Sequence, residues 1–443
     1  MGKRLLSVGL DIGTTSTQMI LSALEIENQA SAFSVPEMRI TRRQILYKSP
    51  IHFTPLLQGD LVDGAAIARL IQQEYDHAGI GRQQVDTGAI IITGETSRKE
   101  NAATVLQNLS DFAGDFVVAT AGPDLESVLA AKGAGAVAFS QQSGKTVLHM
   151  DIGGGTSNLA LVEQGRIVAT GCVNVGGRLI KLDADGYITY RSPVLDGLFP
   201  SQAGDHPTLQ SLQQLADTLA SALEMAAGLR ENNGLLDKLW TREVGHPWPI
   251  PTGDMVISFS GGVADCIHGT QPDFAFGDLG VLLGRAIGNS RLCRGAYRLG
   301  SETIRATVIG AGSHATQLSG STVFHRNIPF PLKNLPVVTD LSQLSLLDCP
   351  GILALANSTA LPYSQITALA ADLAHQWPRQ PVYVALEADM AKALGHALAL
   401  RLPQDTPILC IDRVQLSPGS YLDVGHPIGS ALPLVVKTLI LNP

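Results

Sequence analysis

The stretch Met150 to Val162, MDIGGGTSNLALV, repeats the plan of an earlier one, Gly9 to Thr17, GLDIGTTST, and no other feature restricts the fold as much. In each, an apolar run that reads as a buried strand ends in an aspartate. Ile-Gly and a group of small or hydroxylated residues follow, and a second apolar run begins. The pattern predicts a strand, a tight turn and a returning strand, made twice. Gly13 in the first copy and Gly153, Gly154 and Gly155 in the second let the backbone bend and bring its N–H groups close to an anion. Thr14, Thr15, Thr156 and Ser157 add hydroxyl donors. Asp11 and Asp151 sit where a carboxylate can hold a magnesium ion, directly or through water, against the same phosphates. One such hairpin is an ordinary turn. Two, a domain's length apart, predict two halves closing on one nucleotide from opposite sides.

At 443 residues the chain has room for two or three domains, each with its own core. A hydrophobic share of 45% against 16% charged residues places it among compact globular proteins. The net charge of -8, with no basic cluster beyond pairs such as Arg42-Arg43, argues against a nucleic-acid or acidic-membrane surface. The five cysteines are scattered and lack C-x-x-C spacing, so they read as reduced thiols of a cytosolic protein. The opening MGKRLLSVGLDIG has the basic pair and apolar run of a leader, but Asp11 interrupts the run and a strand explains it better. Ala431 to Leu441 contains Pro433 and Lys437 and is too short to span a bilayer, so no membrane segment is expected.

Along the chain, the proline-spotted region Val35 to Pro55 reads as irregular or edge-stranded. Asp63 to Ala78 has helical spacing and stops before Gly79, Gly88 to Thr93 reads as a buried strand, Arg98 to Phe112 as a helix and Phe116 to Thr120 as a strand. Strands alternating with helices predict an α/β layer on a mixed or parallel sheet. Asp124 to Phe139 is rich in alanine and glycine, which suits helices in close approach, whether a hinge or an ordinary packed pair. Arg166 to Val175 extends the second hairpin to a three-stranded meander. In Thr208 to Gly228, Leu209, Leu212, Leu215, Leu219 and Leu223 form a stripe of core-packing type. Met255 to Val263, MVISFSGGV, is a strand ending in Gly261-Gly262. Val308 to Ser313, VIGAGS, is a glycine-rich nucleotide contact or a turn, without the full G-x-G-x-x-G fingerprint. Beyond about Gly300, strands at Val382 to Leu386, Ile408 to Ile411 and Leu432 to Leu441, with helices at Pro362 to Trp377 and Ala388 to Leu402, predict a further α/β unit. Ser143-Gly144-Lys145-Thr146 contains the GKT of a Walker loop, but Phe139 replaces the upstream glycine and the segment precedes a strand, so Lys145 reads as a solvated loop residue.

DIGTTST and DIGGGTS resemble the first and second phosphate loops of the superfamily of actin, sugar kinases and seventy-kilodalton heat-shock chaperones. Within it, IITGETSRKENAA (Ile91 to Ala103), LHMDIGGGTSNLALVEQG (Leu148 to Gly165) and ATVIGAGSHATQLSGSTV (Ala306 to Val323) resemble the ethanolamine ammonia-lyase reactivating factors. The resemblance implies a two-lobed actin-like (ribonuclease H-like) α/β fold. One ATPase lobe would span 1–140, a second 141–299, and an additional C-terminal α/β unit 300–443. Asp124 to Phe139 then resembles the first connecting segment and Phe276 to Ala286 the second connecting helix. Gly261-Gly262 resembles the adenosine motif, or is simply a strand-to-helix turn. Glu126, and as its rival Glu95, become candidates to position the water that attacks the terminal phosphate, although a glutamate at a helix start also has plain electrostatic reasons to be there.

What the resemblance implies for function is a chaperone-like ATPase. It would use ATP and Mg2+ to let damaged cobalamin leave ethanolamine ammonia-lyase and intact adenosylcobalamin replace it. The setting implied is a bacterial cytosol and points to a metabolic microcompartment. Two other readings share such a site: a small-molecule kinase of the sugar-kinase type, for which no substrate base stands out, and an actin-like filament protein, for which no polymer interface stands out. A homo-oligomer is compatible with the sequence and not specified by it.

Overall fold

The computed structural model describes the chain except residues 1–2, 14–15, 31–37, 56, 58–60, 93–118, 121–122, 242–247, 250–253, 301, 315, 321, 357–358, 378–380, 417–419, 430 and 439–443. The helix expected over Arg98 to Phe112 therefore lies outside the described residues.

The first sheet contains β1 (Lys3–Ile12), β2 (Ser16–Asn28), β3 (Met38–Lys48), a short β4 (His52–Phe53), β5 (Thr87–Ile92) and β6 (Ala119–Thr120), in the order β3-β2-β1-β5-β6 with β4 on β2. Strands β1, β2 and β3 form an antiparallel meander, and β5 and β6 continue it in parallel to β1. The second sheet contains β7 (Thr146–Ile152), β8 (Ser157–Glu163), β9 (Arg166–Val173), β12 (Met255–Ser260) and β13 (Tyr297–Leu299), in the order β9-β8-β7-β12-β13. A separate β10 (Ile180–Leu182) and β11 (Ile188–Arg191) pair with each other. The second sheet again has a meander on one side and two parallel strands on the other. The repeated sequence is thus a repeated topology, the doubled α/β plan that the superfamily resemblance implies. Of the two readings of the region before Pro55, irregular or edge-stranded, the second holds: it contains β3, an eleven-residue strand at the edge of the first sheet.

Helix α1 (Gly64–Ala78) covers the first sheet; the Asp63 carboxylate caps it by accepting from the Ala66 N–H at 2.9 Å, and Gly79 ends it in the left-handed conformation. Ile67, Ile71 and Tyr75 on its inner face are buried against β1, β2 and β5. Helices α2 (Pro123–Gly133) and α3 (Ala136–Ser143) lead into β7. Gly144 ends α3 with φ 68° and Lys145 is exposed, so the GKT tripeptide lies in a helix-to-strand loop. On the second sheet, α4 (Leu209–Ala226) buries Leu212, Leu215, Leu219 and Leu223. Leu209, placed on the same stripe by its spacing, is 48% exposed because it occupies the first turn.

Helix α5 (Gly280–Asn289) packs against α4 inside the core of the second sheet, so the segment Phe276 to Ala286 is not the connecting helix. That place belongs to α6 (Ala306–His314), which contains the VIGAGS segment. The two connecting helices exchange sheets: α2 follows the first sheet and packs on β7, β8 and β9, whereas α6 follows the second and packs on β1, β2 and β5. They meet through glycine. A methyl group on Gly133 would overlap the Ala306 carbonyl, and one on Gly310 the Leu129 carbonyl.

The remaining chain forms an eight-stranded sheet from β14 (Thr316–Leu318), β15 (Phe324–Arg326), β16 (Leu332–Val338), β17 (Ile352–Leu355), β18 (Val382–Leu386), β19 (Ile408–Ile411), β20 (Ser420–Val424) and β21 (Pro433–Thr438). Its order is β14-β21-β20-β16-β17-β18-β19-β15, parallel from β16 to β19 and antiparallel at both flanks. Helices α7 (Tyr363–Gln376) and α8 (Ala391–Ala399) cover one face.

The glycine contact between α2 and α6 gives a direct test. Gly133→Ala and Gly310→Ala are each expected to lower stability by about 2–3 kcal/mol through overpacking against backbone. Gly144→Ala, where φ is left-handed but no atom lies within 4 Å, should cost only about 1 kcal/mol. Urea unfolding of the three variants checks the order; equal losses would remove the close-approach account.

Candidate functional site

The two hairpins agree residue by residue. Asp11 lies opposite Gln18 and Ile12 opposite Thr17 across β1 and β2; Asp151 lies opposite Asn158 and Ile152 opposite Ser157 across β7 and β8. Each bend is closed by the same hydrogen bond, from the Gly13 N–H to the Ser16 carbonyl at 2.8 Å and from the Gly153 N–H to the Thr156 carbonyl at 2.9 Å. Thr14 and Thr15, the hydroxyls proposed for the first bend, lie outside the described residues. The Thr54 hydroxyl supports that bend by donating to the Gly13 carbonyl at 2.7 Å.

The second bend rests on the segment after β9. The Gly177 N–H donates to the Gly153 carbonyl at 3.0 Å and the Arg178 N–H to the Gly154 carbonyl at 2.6 Å. Gly176 lies so near Gly154 that any side chain there would overlap its carbonyl. On Gly155 a methyl group would meet none of the described residues within 4 Å, so among them one side of the bend is open. The Ser157 hydroxyl is turned to the Val175 carbonyl at 2.7 Å and so braces the loop.

Both hairpins converge on the entrance to α6. Gly9 on β1 presses against Val308 and Gly312 of that helix, so closely that neither Gly9 nor Gly312 tolerates a larger residue without a shift. Gln18, opposite Asp11, donates to the Ile304 carbonyl at 3.4 Å. From the other side, the Thr307 hydroxyl donates to Asp151 Oδ2 at 3.3 Å. The two aspartate-bearing bends thus flank one short segment, residues 304–308.

Asp151 is 8% exposed. Its Oδ1 accepts a hydrogen bond from Ser260 on β12, the residue beside it in the parallel register. Burial pushes its carboxyl up to about 6, against the Ser260 and Thr307 hydrogen bonds, which lower it. Ser260 also meets His149 Nε2 at 3.0 Å, and His149 Nδ1 meets the Ser258 hydroxyl at 3.2 Å. Burial, then the nearby Arg298 charge, push that imidazole down to about 3, so it is neutral, donating from one nitrogen and accepting at the other. His149 is the one polar residue ahead of Asp151 in an otherwise apolar strand core, and that break in the run was the available signal for it.

Glu126, on α2, is 6% exposed and accepts from Asn158 Nδ2 at 2.6 Å. Asn158 is the cross-strand partner of Asp151, so Glu126 reaches the face of the second hairpin that carries the aspartate. Asn158 Oδ1 is buried and takes no hydrogen bond from the described residues. Glu95 lies outside the described residues. Gly261, with φ 88°, abuts the Ile152 backbone, so its missing side chain serves the packing of the second hairpin; among the described residues Gly262 faces the Ile304 side chain, at 3.7 Å from where a methyl would stand. The residues that spacing alone did not single out are Asn158, Ser260, Thr307 and Arg178, all brought in from other elements or from the far side of a strand pair. Among the described residues no group of three or more His, Cys, Asp or Glu side chains forms a metal cluster, and no helix is long and apolar enough to cross a membrane.

The raised carboxyl of Asp151 has a consequence for stability. Its folded value near 6 lies above the ordinary 3.8, so the folded protein holds an extra proton between those values and this group's contribution falls as pH rises through that window. Asp151→Asn keeps the shape and removes the buried charge. In metal-free buffer it should therefore be more stable than the parent at pH 8, by on the order of 2–3 kcal/mol. The gap should close near pH 4. Melting curves at the two pH values check this, and a gap independent of pH would count against a buried, strained carboxylate.

The family described as "Ethanolamine utilisation protein EutA" matches residues 3–348 and 348–442. The ethanolamine ammonia-lyase reactivase EutA of Salmonella typhimurium is 39% identical over 475 residues, covering 99% of this chain and 98% of its own. Its Escherichia coli K12 counterpart is 38% identical with the same coverage. Among solved structures, a Ppx/GppA family member of Aquifex aeolicus covers 70% of this chain at 13% identity with a TM-score of 0.41. The ethanolamine utilisation protein EutJ of Carboxydothermus hydrogenoformans covers 69% at 14% identity with a TM-score of 0.35. The match along nearly the whole length of both reactivases carries the conclusion that this chain belongs to the EutA family of ethanolamine utilisation proteins.

Proposed function

We propose that the chain is a reactivating factor for ethanolamine ammonia-lyase that binds and hydrolyses ATP with Mg2+ between its two hairpins. The lobes over 1–140 and 141–299 would close on the nucleotide, and the unit over 300–443 would be available to the partner enzyme. The observation that carries the nucleotide reading is the convergence of two bends of identical register on residues 304–308, each with an aspartate at the end of its strand. The near full-length identity to two reactivases supports the choice of partner.

The residues present fit a metal-bound triphosphate. Among the described residues, the bend at Gly153, Gly154 and Gly155 is open on one side and Asn158 Oδ1 is a buried acceptor without a donor, and Asp151 is a carboxylate whose burial a cation would offset. Asp11 and Asp151 would hold Mg2+, directly or through water. Bound there, magnesium supplies charge neutralisation for the phosphates. Gly13, Thr14 and Thr15, with Thr156, would meet the phosphates from the two bends, and Gly261-Gly262 the adenosine. Glu126 would orient the attacking water, held in place by its hydrogen bond from Asn158. Reactivation then means that the arrangement favoured by ATP and the one favoured by ADP differ in their grip on the lyase, so that damaged cobalamin leaves and intact cofactor enters. The shift can be no larger than the difference in nucleotide affinity between the two arrangements. A location in the bacterial cytosol, within or beside a microcompartment, belongs to the same proposal.

The test is recovery of lyase activity. Inactivated holoenzyme mixed with the full chain, adenosylcobalamin and Mg-ATP should regain turnover, and should not when ATP or magnesium is withheld. No recovery would discard this reading, and phosphate transfer to a sugar or polyol would replace it with the kinase. Two variants resolve the roles. Asp11→Asn should weaken magnesium-dependent ATP use by roughly tenfold or more, about 1.4 kcal/mol or above. Glu126→Gln should lower ATP turnover about a hundredfold while leaving ATP affinity nearly as it was. Unchanged turnover in the second variant removes Glu126 from the chemistry.

A further inference from the structure

The second bend also carries a cation, which neither the paired aspartates nor Glu126 accounts for. Arg178 is joined to the glycines by its backbone N–H on the Gly154 carbonyl at 2.6 Å. Its aliphatic stem lies over Gly154, with Cδ, Cβ and Cγ at 3.4 to 3.6 Å from where a methyl there would stand. Its guanidinium is turned back by a hydrogen bond from Nε to Asp278 Oδ2 at 3.1 Å. Asp278 is itself fixed, 5% exposed, with Oδ1 accepting from the Gly280 N–H at 2.8 Å at the start of α5. The pair with Asp278 uses Nε, so the fork of the two terminal amino groups lies outside it, and the Arg178 side chain remains 28% exposed.

A tie of this kind could serve only to pin the bend to α5. The charge balance of the site argues for more. A nucleoside triphosphate brings several negative charges to a place already walled by Asp11, Asp151 and Glu126, and one magnesium ion neutralises only part of them. Among the described residues, Arg178 is the cation packed on the glycine bend itself. A guanidinium there is suited to the planar, forked recognition of phosphate oxygens.

We propose that Arg178 contacts the terminal phosphate of the bound nucleoside triphosphate and sets the preference for triphosphate over diphosphate, with Asp278 as the residue that positions it. The inference rests on the nucleotide site proposed above. With the terminal phosphate present, the fork of Arg178 binds it; with a diphosphate, the guanidinium keeps only Asp278. The bend, through Arg178, and α5, through Asp278, thereby respond to the state of the nucleotide.

The experiment is calorimetric titration of the full-length chain, with magnesium, by ADP and by the non-hydrolysable triphosphate AMP-PNP. Arg178→Ala should weaken AMP-PNP binding roughly tenfold or more and ADP binding by no more than about threefold, the loss of one charge-assisted contact. Arg178→Lys should fall between the parent and the alanine variant, because it keeps the charge and loses the fork. Asp278→Asn should narrow the preference less than Arg178→Ala does. Melting curves on each variant separate a lost contact from a lost fold. Equal weakening of both ligands, or an unchanged ratio, in a folded Arg178→Ala protein overturns the role of Arg178 while leaving the nucleotide site standing. A parent protein that binds neither ligand overturns the site reading itself and this inference with it.

Discussion

The structure depends on one steric condition: α6 must lie against β1 and α2 at backbone distance. Gly9 faces Val308 and Gly312, Gly133 faces Ala306, and Gly310 faces Leu129, and at each meeting a carbonyl or amide occupies the space a side chain would need. Two sheets of about the same size could pack face to face through large apolar residues, as their own cores do with α1 and α4. They do not. Contact through glycine brings main chains close while Gln18 of the first hairpin and Asp151 of the second each bond the start of α6, and a methyl group at any of these glycines would force a shift. The same small residues give up apolar area, so the crossing of the helices contributes less to stability by burial than a leucine-lined one.

That condition explains where sequence reasoning reached and where it stopped. The hairpins were legible because a strand ending in Asp-Ile-Gly followed by small residues constrains the backbone locally, and the matching register of Asp11 with Gln18 and Asp151 with Asn158 follows from bends of equal length. Helix α4 was legible from its leucine spacing, with Leu209 misassigned because periodicity does not distinguish the first turn from the rest. The connecting helix was misplaced. Phe276 to Ala286 and Ala306 to His314 are both rich in glycine and apolar residues, and periodicity alone does not reveal which of them meets α2. Only the three-dimensional pairing of Gly133 with Ala306 and of Gly310 with Leu129 decides it. Likewise Ser260 and Thr307 carry no signal of their own. They matter because a parallel register and a helix start bring two hydroxyls to one carboxylate.

The surroundings of Asp151 combine opposing terms. A carboxylate at 8% exposure is costly, and its two hydroxyl donors offset the cost only partly, since burial still holds its carboxyl up at about 6. The chain Ser258, His149, Ser260 and Asp151 keeps every member hydrogen-bonded within the sheet, so the group is fixed in direction although it is unfavourable in energy. A group held in place at a cost, whose cost a bound cation would relieve, is what a metal-dependent site requires of its ligand.

Coupling between that carboxylate and the rest of the molecule runs through the segment before α6. Glu302 pairs with Lys48, the Arg305 guanidinium donates to the Ser49 carbonyl at 3.1 Å and the Ile304 carbonyl accepts from Gln18, all on the side of the first sheet. Alternating with them, the Thr303 carbonyl accepts from the Gly261 N–H at 3.0 Å, the Thr303 hydroxyl bonds Asp265, and Thr307 bonds Asp151, all on the side of the second. A segment gripped alternately from both sides cannot follow one sheet without pulling on the other. A ligand that drew Asp151 away from Thr307 would remove one tie on the side of the second sheet and leave those on the side of the first. One hydrogen bond to a charged group is worth about 1.5–3 kcal/mol, which bounds what exchanging that tie could contribute to any shift between arrangements.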